Sequence, residues 1–264
     1  PMQVSAGGMQ PMSLCFLLRN VDVTTALLRD HIHHTGLHGQ SKHMGIYHAL
    51  QKLAEQGEDV PQFGGPWFNS TMQEDLICVN ITRAAANAAD RAQLTQAECR
   101  MREDAYKLVA LLRKLYPEFA KASIAEIAAQ GGVRETYHIR GLYTLSGADI
   151  LGGAPCADGV AFCSHPVDIH SAQDNTQTAQ YFDTPCPVPY RVMVAAGFDN
   201  LIAAGRCVSC VDEAYASMRV QGTCMAIGEA AGVAAAMRRE TGCAVTAVNT
   251  DDLRARLQKQ GAIV

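Results

Sequence analysis

The sequence has no run of lysines or arginines and few charged residues of either sign. Charged residues make up 18% of the 264, and the formal net charge is -4. A protein that follows the phosphates of DNA or RNA needs a concentrated positive surface, so nucleic acid is not expected as a partner. The first thirty residues also lack the basic and then apolar layout of a signal peptide. We therefore expect a cytoplasmic protein.

Ten cysteines are too few for a small protein held together by disulfides. The chain opens at Pro1 rather than at a methionine and soon enters the apolar segment "MSLCFLLRNVDV", which suggests a piece of a longer protein. With 48% hydrophobic residues, its length suffices for one large or two modest domains.

The order of local patterns predicts a mixed α/β fold. Residues 12–21 have the apolar character of a buried strand, and residues 94–119 have helical spacing. Thr95 and Glu98 fit a capping box at the start of that helix. Residues 198–206 are predicted to form a short apolar strand that ends near Gly205, and residues 217–240 a long helix.

The helix predicted at residues 217–240 carries two ridges of small residues. One ridge contains Gly222, Ala226, Ala230 and Ala234, and the other contains Gly228, Gly232 and Ala236. Such ridges let another backbone approach closely. A membrane helix is disfavoured because Gln221, Thr223 and Glu229 interrupt the apolar pattern. We expect a helix packed on a sheet, with its N-terminus and Arg219 facing an anion.

Two further segments concentrate polar residues. If "VRETYHIRG" is a strand, Arg134, Thr136, His138 and Arg140 share one face, and Glu135 lies on the other. In "SHPVDIH", Asp168 and His170 share a face, where the carboxylate could orient the imidazole for acid–base work. The alternative is that Arg134 and Glu135 anchor a buried salt-bridge network and that the histidines cap loops.

Histidine and cysteine spacings leave structural alternatives open. His34 and His38 could share a helix face and bind a metal, but no cysteine and few carboxylates accompany them. Cys207 and Cys210 have the spacing of a redox dithiol or of half a zinc site. The other cysteines are scattered, so buried thiols that pack as small apolar residues are favoured, and no metal is predicted.

The closing segment "DNLIAAGRCVSCVDEAYASMRVQGTCMAIGEAAGVAAA" resembles the C-terminal signature of FAD-dependent oxidoreductases of glutathione-reductase-like topology. The chain shares the "RET" strand and the "PVDIH" segment with a large group of that family, and "QPMSLCFLLRNVD" resembles its strand into the substrate domain. The resemblance implies an α+β substrate domain at residues 1–186. It also implies that residues 187–264 are the C-terminal strand and helix of a Rossmann-like FAD domain.

The resemblance also implies site residues and a reaction, namely hydride transfer between FAD and a small organic substrate. Positive groups near the flavin suggest a carboxylate or another anion as the substrate, and a neutral sugar or alcohol is the alternative. In this family the helix N-terminus faces the flavin ring and stabilises its anionic reduced form. The cofactor-binding residues it implies are Gly205, Arg206, Arg219, Val220, Gln221, Gly222 and Thr223. The substrate-side residues it implies are Arg134, Glu135, His165, Asp168, His170, Tyr190 and Arg191.

The family's strand, G-x-G-x-x-G and helix unit, which binds the ADP part of FAD, does not occur in this sequence. "GGMQ" and the "GLHG" at residues 36–39 do not fit it. We therefore expect a partner chain or a missing N-terminal half to supply that site. Without it, the small-residue ridges should be uncovered and the chain should form oligomers. The alternative is an interaction or regulatory chain that keeps the fold without the cofactor.

Overall fold

The structure, a computed structural model, describes residues 2–3, 9–25, 43–152 and 156–264. Its mixture of helices and antiparallel sheets confirms the predicted α/β class. The helices are α1 Met44–Glu55, α2 Arg91–Leu115, α3 Gly147–Gly152, α4 Asp212–Met218, α5 Gln221–Thr241 and α6 Thr250–Lys259. The strands are β1 Met2–Gln3, β2 Cys15–Arg19, β3 Phe63–Ser70, β4 Leu76–Thr82, β5 Ser123–Ile127, β6 His138–Ile139, β7 Gly159–Cys163, β8 Val167–His170, β9 Gln177–Gln180 and β10 Cys186–Pro189.

The chain divides into two compact units. The sheet unit comprises Gln10–Arg134 and His170–Thr176, and the C-terminal unit comprises Pro1–Met9, Glu135–Ile169 and Gln177–Val264. The segment that follows residue 186 thus belongs to the same unit as residues 135–169. The functional division into a substrate part and an FAD part at residue 186 stays a prediction.

In the sheet unit, four antiparallel strands lie in the order β3–β4–β2–β5. On β2, Phe16 and Leu18 are buried, whereas the alternate residues Cys15 and Leu17 are half-buried. This alternation turns one face of the sheet toward the core, where α1 and α2 pack on it. The strand predicted at residues 12–21 is confirmed over Cys15–Arg19.

Helix α2 confirms the helix predicted in the first half of the chain, but the predicted capping box is wrong. Asp90 is the N-cap, and its Oδ1 accepts hydrogen bonds from Ala92 N at 2.8 Å and Gln93 N at 3.1 Å. Thr95 lies inside the helix, where its hydroxyl donates to the Arg91 carbonyl at 2.8 Å. Because Asp90 satisfies the free N–H groups, the helix starts one turn earlier than predicted.

In the C-terminal unit, β7 and β10 form an antiparallel pair, and α5 packs on β7. One stripe of α5 is buried at helical spacing and contains Thr223, Ile227, Ala230, Ala234 and Met237. The first predicted ridge therefore reaches the core through Ala230 and Ala234. The second ridge, Gly228, Gly232 and Ala236, is exposed, so the described part of the chain covers only one of the two ridges.

The helix predicted at residues 217–240 is confirmed over Gln221–Thr241, but its predicted start is wrong, because another helix ends there. Helix α4 ends at Met218, and Val220 has extended backbone angles of φ -73° and ψ 153° before α5 begins. Ala214 to Met218 are buried without interruption, whereas α5 buries a single stripe. A single straight helix could not meet both sets of contacts, so the chain bends at Arg219 and Val220.

The strand predicted at residues 198–206 is also wrong as a continuous element. Ile202 makes an isolated antiparallel bridge to Val194, and Gly205–Cys207 form a short 3-10 turn. Elsewhere in the described residues, no strand pairs with this segment, and extended backbone without a neighbouring strand does not continue a ladder. None of the helices in the described parts of the chain has the length and apolar character needed to span a bilayer.

Candidate functional site

The N-terminus of α5 presents open backbone N–H groups. The first three residues of the helix are Gln221, Gly222 and Thr223, and the first backbone bond back to the cap runs from Cys224 N to Val220 O at 3.0 Å. Val220, the N-cap, has no polar atom in its side chain to accept from them. Gln221 and Gly222 are exposed, and a Cβ added to Gly222 would meet no atom within 4 Å. The helix end is therefore accessible to an anion.

Arg219 lies directly before this helix end and is held by Asp168. Its Nη2 donates to Asp168 Oδ2 at 2.9 Å and to the Asp168 carbonyl at 3.1 Å, and the two side chains are only 14% and 16% exposed. Gln177 Nε2 donates to the other carboxylate oxygen. The buried Nε of Arg219 has no acceptor among the described residues. One donor of this guanidinium thus remains for a further group.

Gly205 and Arg206 lie in the 3-10 turn that packs against α5. Gly205 has φ +76°, which favours glycine, and a Cβ there would meet no atom within 4 Å. Arg206 is exposed. The C-terminal unit therefore brings together the predicted cofactor residues of the turn and of the helix end.

The predicted pair of Asp168 and His170 is divided between the two units. Asp168 belongs to the C-terminal unit, where Arg219 and Gln177 engage its carboxylate. His170 belongs to the sheet unit, where it is 7% exposed and packs edge-on against Trp67 with ring centroids 5.7 Å apart. Their joint acid–base role stays a prediction.

Glu135 pairs with His138, which sequence reasoning did not propose as a site residue. His138 Nε2 lies 3.0 Å from Glu135 Oε1, and its Nδ1 lies 3.1 Å from the Val208 carbonyl. Both side chains are almost fully buried, at 1% and 2% exposure. Because a carbonyl only accepts, Nδ1 is the donor toward Val208, and Nε2 faces the Glu135 carboxylate. The predicted alternation of faces is wrong here, since residues 133–137 lie outside the strands and let Glu135 turn toward His138.

Tyr215 packs edge-on against His138 with ring centroids 4.8 Å apart. Burial, together with the nearby Glu135 carboxylate, raises the pKa of this phenol above its ordinary value. Tyr215 therefore stays protonated at physiological pH.

Arg134 is in the sheet unit and donates from Nη1 to the Pro11 carbonyl at 2.7 Å.

The second face of the four-stranded sheet carries a polar row. Across three strands the register aligns Cys15 with Asn80 and Asn80 with Trp67. Arg83, which is 2% exposed, donates from Nη1 to Asn80 Oδ1 at 3.0 Å and to the Thr82 carbonyl at 2.6 Å. Its guanidinium lies 5.1 Å from the centre of the Trp67 ring. This face combines a thiol, an amide, an indole and a buried cation.

Sequence reasoning missed Arg83 because "ITRAAAN" contains no recognisable motif around it. The sequence feature that could have indicated a buried side chain here is the pair Gly64 and Gly65, before Pro66 in β3. A Cβ at Gly64 would come within 2.5 Å of Arg83 Nε, so this glycine leaves room for the guanidinium.

Tyr190 and Arg191 line a cavity of about 520 Å³ in the C-terminal unit. Arg191 makes a two-pronged ion pair with Asp158, at 2.8 Å and 3.1 Å. Burial opposes the effect, but hydrogen bonds from Arg191 lower the pKa of Asp158 below its ordinary value. The Tyr190 hydroxyl donates to the Val245 carbonyl at 3.0 Å, which engages it in the core.

His165 lies apart from this cavity lining. Its Nδ1 is 2.8 Å from the Pro166 carbonyl, and its own carbonyl accepts from Ser217 Oγ at 2.5 Å.

The candidate metal ligands His34 and His38 lie outside the described residues. Within the residues that are described, three or more histidine, cysteine, aspartate or glutamate side chains nowhere gather as metal ligands would.

The two cysteines of the C-x-x-C spacing lie in different surroundings. Cys207 is exposed and Cys210 is buried, and both are free thiols. Cys210 lies 3.9 Å from His138 Nδ1, and burial raises its pKa. Packing as a small apolar residue is therefore confirmed for Cys210, whereas Cys207 does not pack in this way.

A family model described as FAD dependent oxidoreductase matches residues 3–257 of the chain. Searches of curated proteins and of solved structures found no match. The family match spans both units and nearly the whole sequence. The chain therefore belongs to the FAD-dependent oxidoreductase family.

Proposed function

We propose that this chain provides the flavin-ring end and the substrate-side residues of an enzyme that transfers a hydride between FAD and a small organic substrate. One observation carries the proposal. The N-terminus of α5 is open, and beside it the buried Nε of Arg219 has no acceptor in the described chain. A helix end with a neighbouring guanidinium donor suits a delocalised anion.

The residues of the C-terminal unit fit the flavin ring. The N–H groups of Gln221, Gly222 and Thr223 and the Nε of Arg219 would hold it, while Gly205 and Arg206 would lie toward its ribityl and pyrophosphate part. When bound, FAD supplies a ring that accepts or returns a hydride. Asp168 neutralises most of the charge of Arg219, so the guanidinium can precede the positive helix end without strong repulsion.

The sheet unit would supply the substrate-side groups. Arg134 and the buried Arg83 provide positive charge, which suits a carboxylate or another anion. His170 is held against Trp67, and one of its imidazole nitrogens would take up or give the substrate proton. In the C-terminal unit, the Glu135–His138 pair would keep Tyr215 in place through its buried contact.

A second body would cover the outer face of α5 and supply the nucleotide-binding half, either as a partner chain or as another part of a longer one. Gly228, Gly232 and Ala236 are exposed, and Phe198 and Leu201 are 41% and 43% exposed. Small residues in a row let a second backbone approach closely, and exposed apolar side chains favour association. The ten cysteines, all free, agree with a reducing compartment, so the cytoplasm stays the proposed location.

The test begins with the visible absorption spectrum of the purified material and the intact mass of every chain in it. A flavin band together with a second chain or a larger mass is expected. Flavin binding is then measured by fluorescence quenching for the Arg219→Gln variant. Losing a charged hydrogen bond costs about 1.5–3 kcal/mol, so flavin should bind about 10-fold to 100-fold more weakly.

Arg239→Gln is the matched control, because Arg239 is exposed at the other end of the same helix. The double variant Asp168→Asn/Arg219→Gln tests whether an unpaired Asp168 rather than the lost donor causes the change, since it removes both charges. Equal flavin affinity in wild type and Arg219→Gln would refute the assignment of this helix end.

A further inference from the structure

The cavity of about 520 Å³ in the C-terminal unit has no role in the proposed hydride transfer. Its volume falls within the range of small-molecule sites, which is about 300–1,000 Å³. Its walls include side chains of α3, of β10 and of the first turn of α6. Among the described residues that line it, none belongs to the set predicted to hold the flavin.

Carboxylates outnumber cationic groups around this cavity. Asp149, Asp158 and Asp251 all line it. The one guanidinium in the described lining is that of Arg191, and it is engaged by Asp158 at 2.8 Å and 3.1 Å. Arg254 lies close by and donates from Nη1 to a backbone carbonyl of β7 at 3.1 Å. Even when Arg254 is counted, three carboxylates stand against two guanidinium groups, so the net charge here is negative.

The Asp149 carboxylate is ionised and firmly held. Its Oδ1 accepts from the Tyr143 hydroxyl at 2.8 Å, and its Oδ2 accepts from Ser146 N at 2.8 Å and Ser146 Oγ at 2.7 Å. Burial opposes the effect, but these hydrogen bonds lower the pKa of Asp149 below its ordinary value. A carboxylate has about four lone-pair sites, so about one remains for a donor from a ligand.

Asp251 supplies a second carboxylate, and it makes no ion pair with any residue that the structure describes. Arg256 of the same helix pairs with Glu240 instead, at 2.8 Å. The end of α6 does not invite an anion, because Asn249 Oδ1 accepts from Asp251 N at 3.0 Å and from Asp252 N at 3.2 Å. The cavity therefore favours a cation over an anion.

The arrangement of the carboxylates favours an organic cation over a metal ion. In the described parts of the chain, acidic, histidine and cysteine side chains nowhere gather in threes as metal ligands do. The three carboxylates are thus spread around the cavity, and one compact ion would not contact them together. The lining also contains apolar side chains, among them Leu142, Pro187 and Val248. A molecule whose cationic groups are separated by an alkyl chain matches both features.

We propose that this cavity binds an alkyl amine that carries more than one ammonium group. One ammonium group donates to Asp149 and another to Asp251, while the alkyl chain packs against the apolar part of the lining. Asp158 keeps its two bonds to Arg191 and holds that guanidinium back from the ligand.

The decisive measurement is calorimetric titration of the purified protein at pH 7 with three compounds that share a six-carbon chain. Hexamethylenediamine is a dication at this pH, since alkyl ammonium groups have a pKa of about 10. Hexanediol is its neutral counterpart, and adipate is its anionic one. The diamine should bind with a dissociation constant in the millimolar range or below, and the other two should bind at least about 10-fold more weakly. No saturable binding of the diamine, or equal binding of the diol or of adipate, would overturn the proposal.

Three variants test whether the diamine occupies this cavity. Asp251→Asn should weaken its binding about 3-fold to 5-fold, as the loss of an exposed ion pair predicts. Asp252→Asn is the matched control, because Asp252 is the exposed neighbour on the same helix and is not part of the described lining. Ala157→Phe adds bulk at an exposed position of the lining without changing charge and should weaken binding by about 10-fold or more.

Circular dichroism checks that each variant is folded. Equal losses in Asp251→Asn and Asp252→Asn would mean that the diamine is held only by general surface charge, and unchanged binding in Ala157→Phe would place it outside the cavity. Either result would overturn the proposal. The titration needs no flavin, so its outcome is separate from that of the proposed hydride transfer.

Discussion

The packing of Gly64 against Arg83 leads to a sharp prediction about stability. A Cβ at Gly64 would lie 2.5 Å from Arg83 Nε and 2.8 Å from both Cζ and Nη2. The guanidinium cannot move into water to make room, because Arg83 is 2% exposed and its Nη1 bonds the Thr82 carbonyl and Asn80. Gly64→Ala must therefore displace a buried charge from its partners.

The magnitude follows from the two hydrogen bonds at risk. Each hydrogen bond to a charged group contributes about 1.5–3 kcal/mol, and overpacking a core costs about 1–3 kcal/mol. Because the surroundings relax in part, we expect the free energy of unfolding of the sheet unit to fall by about 3 kcal/mol. With a urea dependence of about 2 kcal/mol/M, the midpoint of unfolding should fall by about 1.5 M.

The fluorescence of Trp67 is a direct assay, since Trp67 is the only tryptophan in the chain and its ring lies 5.1 Å from Arg83. Arg83→Met alone should also destabilise, because Asn80 loses its donor. The double variant Gly64→Ala/Arg83→Met should be no less stable than Arg83→Met, since the flexible methionine can yield to the new methyl group. An unchanged midpoint for Gly64→Ala, or fully additive effects in the double variant, would refute the reasoning.

Two further predictions concern the C-terminal unit. Gly228→Ala should stabilise α5 by about 0.5–1 kcal/mol and raise the melting temperature, because the site is exposed and has open space. Gly228→Leu should weaken the proposed association, as measured by analytical ultracentrifugation. Unchanged association would contradict a close partner at this position. The ion pair with Arg191 lowers the pKa of Asp158, so it stabilises the fold at pH values above the unfolded pKa of about 3.9, and this contribution is lost as the pH falls through the folded pKa. Asp158→Asn should therefore flatten the pH dependence of urea unfolding between about pH 5 and pH 3. An unchanged pH dependence would contradict the stabilising role of the pair.

Several elements were predictable because their signals are local. The alternation of apolar residues identified β2, and the helical spacing identified α2, since periods of 2 and 3.6 residues are properties of the backbone alone. Element ends were less predictable. Asp90 rather than Thr95 starts α2, and the bend at Val220 depends on what surrounds Ala214 to Met218 in the core.

The candidate site was predictable only in part. The closing segment pointed to the flavoprotein family, which the family match confirms. It also pointed to the residues around Arg219, whose role stays a prediction. Arg83 was missed because no motif surrounds it. His138 lies in "VRETYHIRG", but it was not predicted as a site residue because its pairing with Glu135 depends on burial. A buried ionisable group must be paired, and spacing along the chain does not reveal its partner.

The sequence by itself determined the family, the α/β class and the small-residue character of α5, because these depend on residue types and on short-range periodicity. Only the tertiary structure decided which groups meet. Asp168 pairs with Arg219 across 51 residues of sequence, His138 reaches the Val208 carbonyl across 70, and one ridge of α5 is buried while the other is exposed. Such contacts depend on how distant segments of the chain pack against each other, and the cost of burying charge then selects the pairings that fold stably.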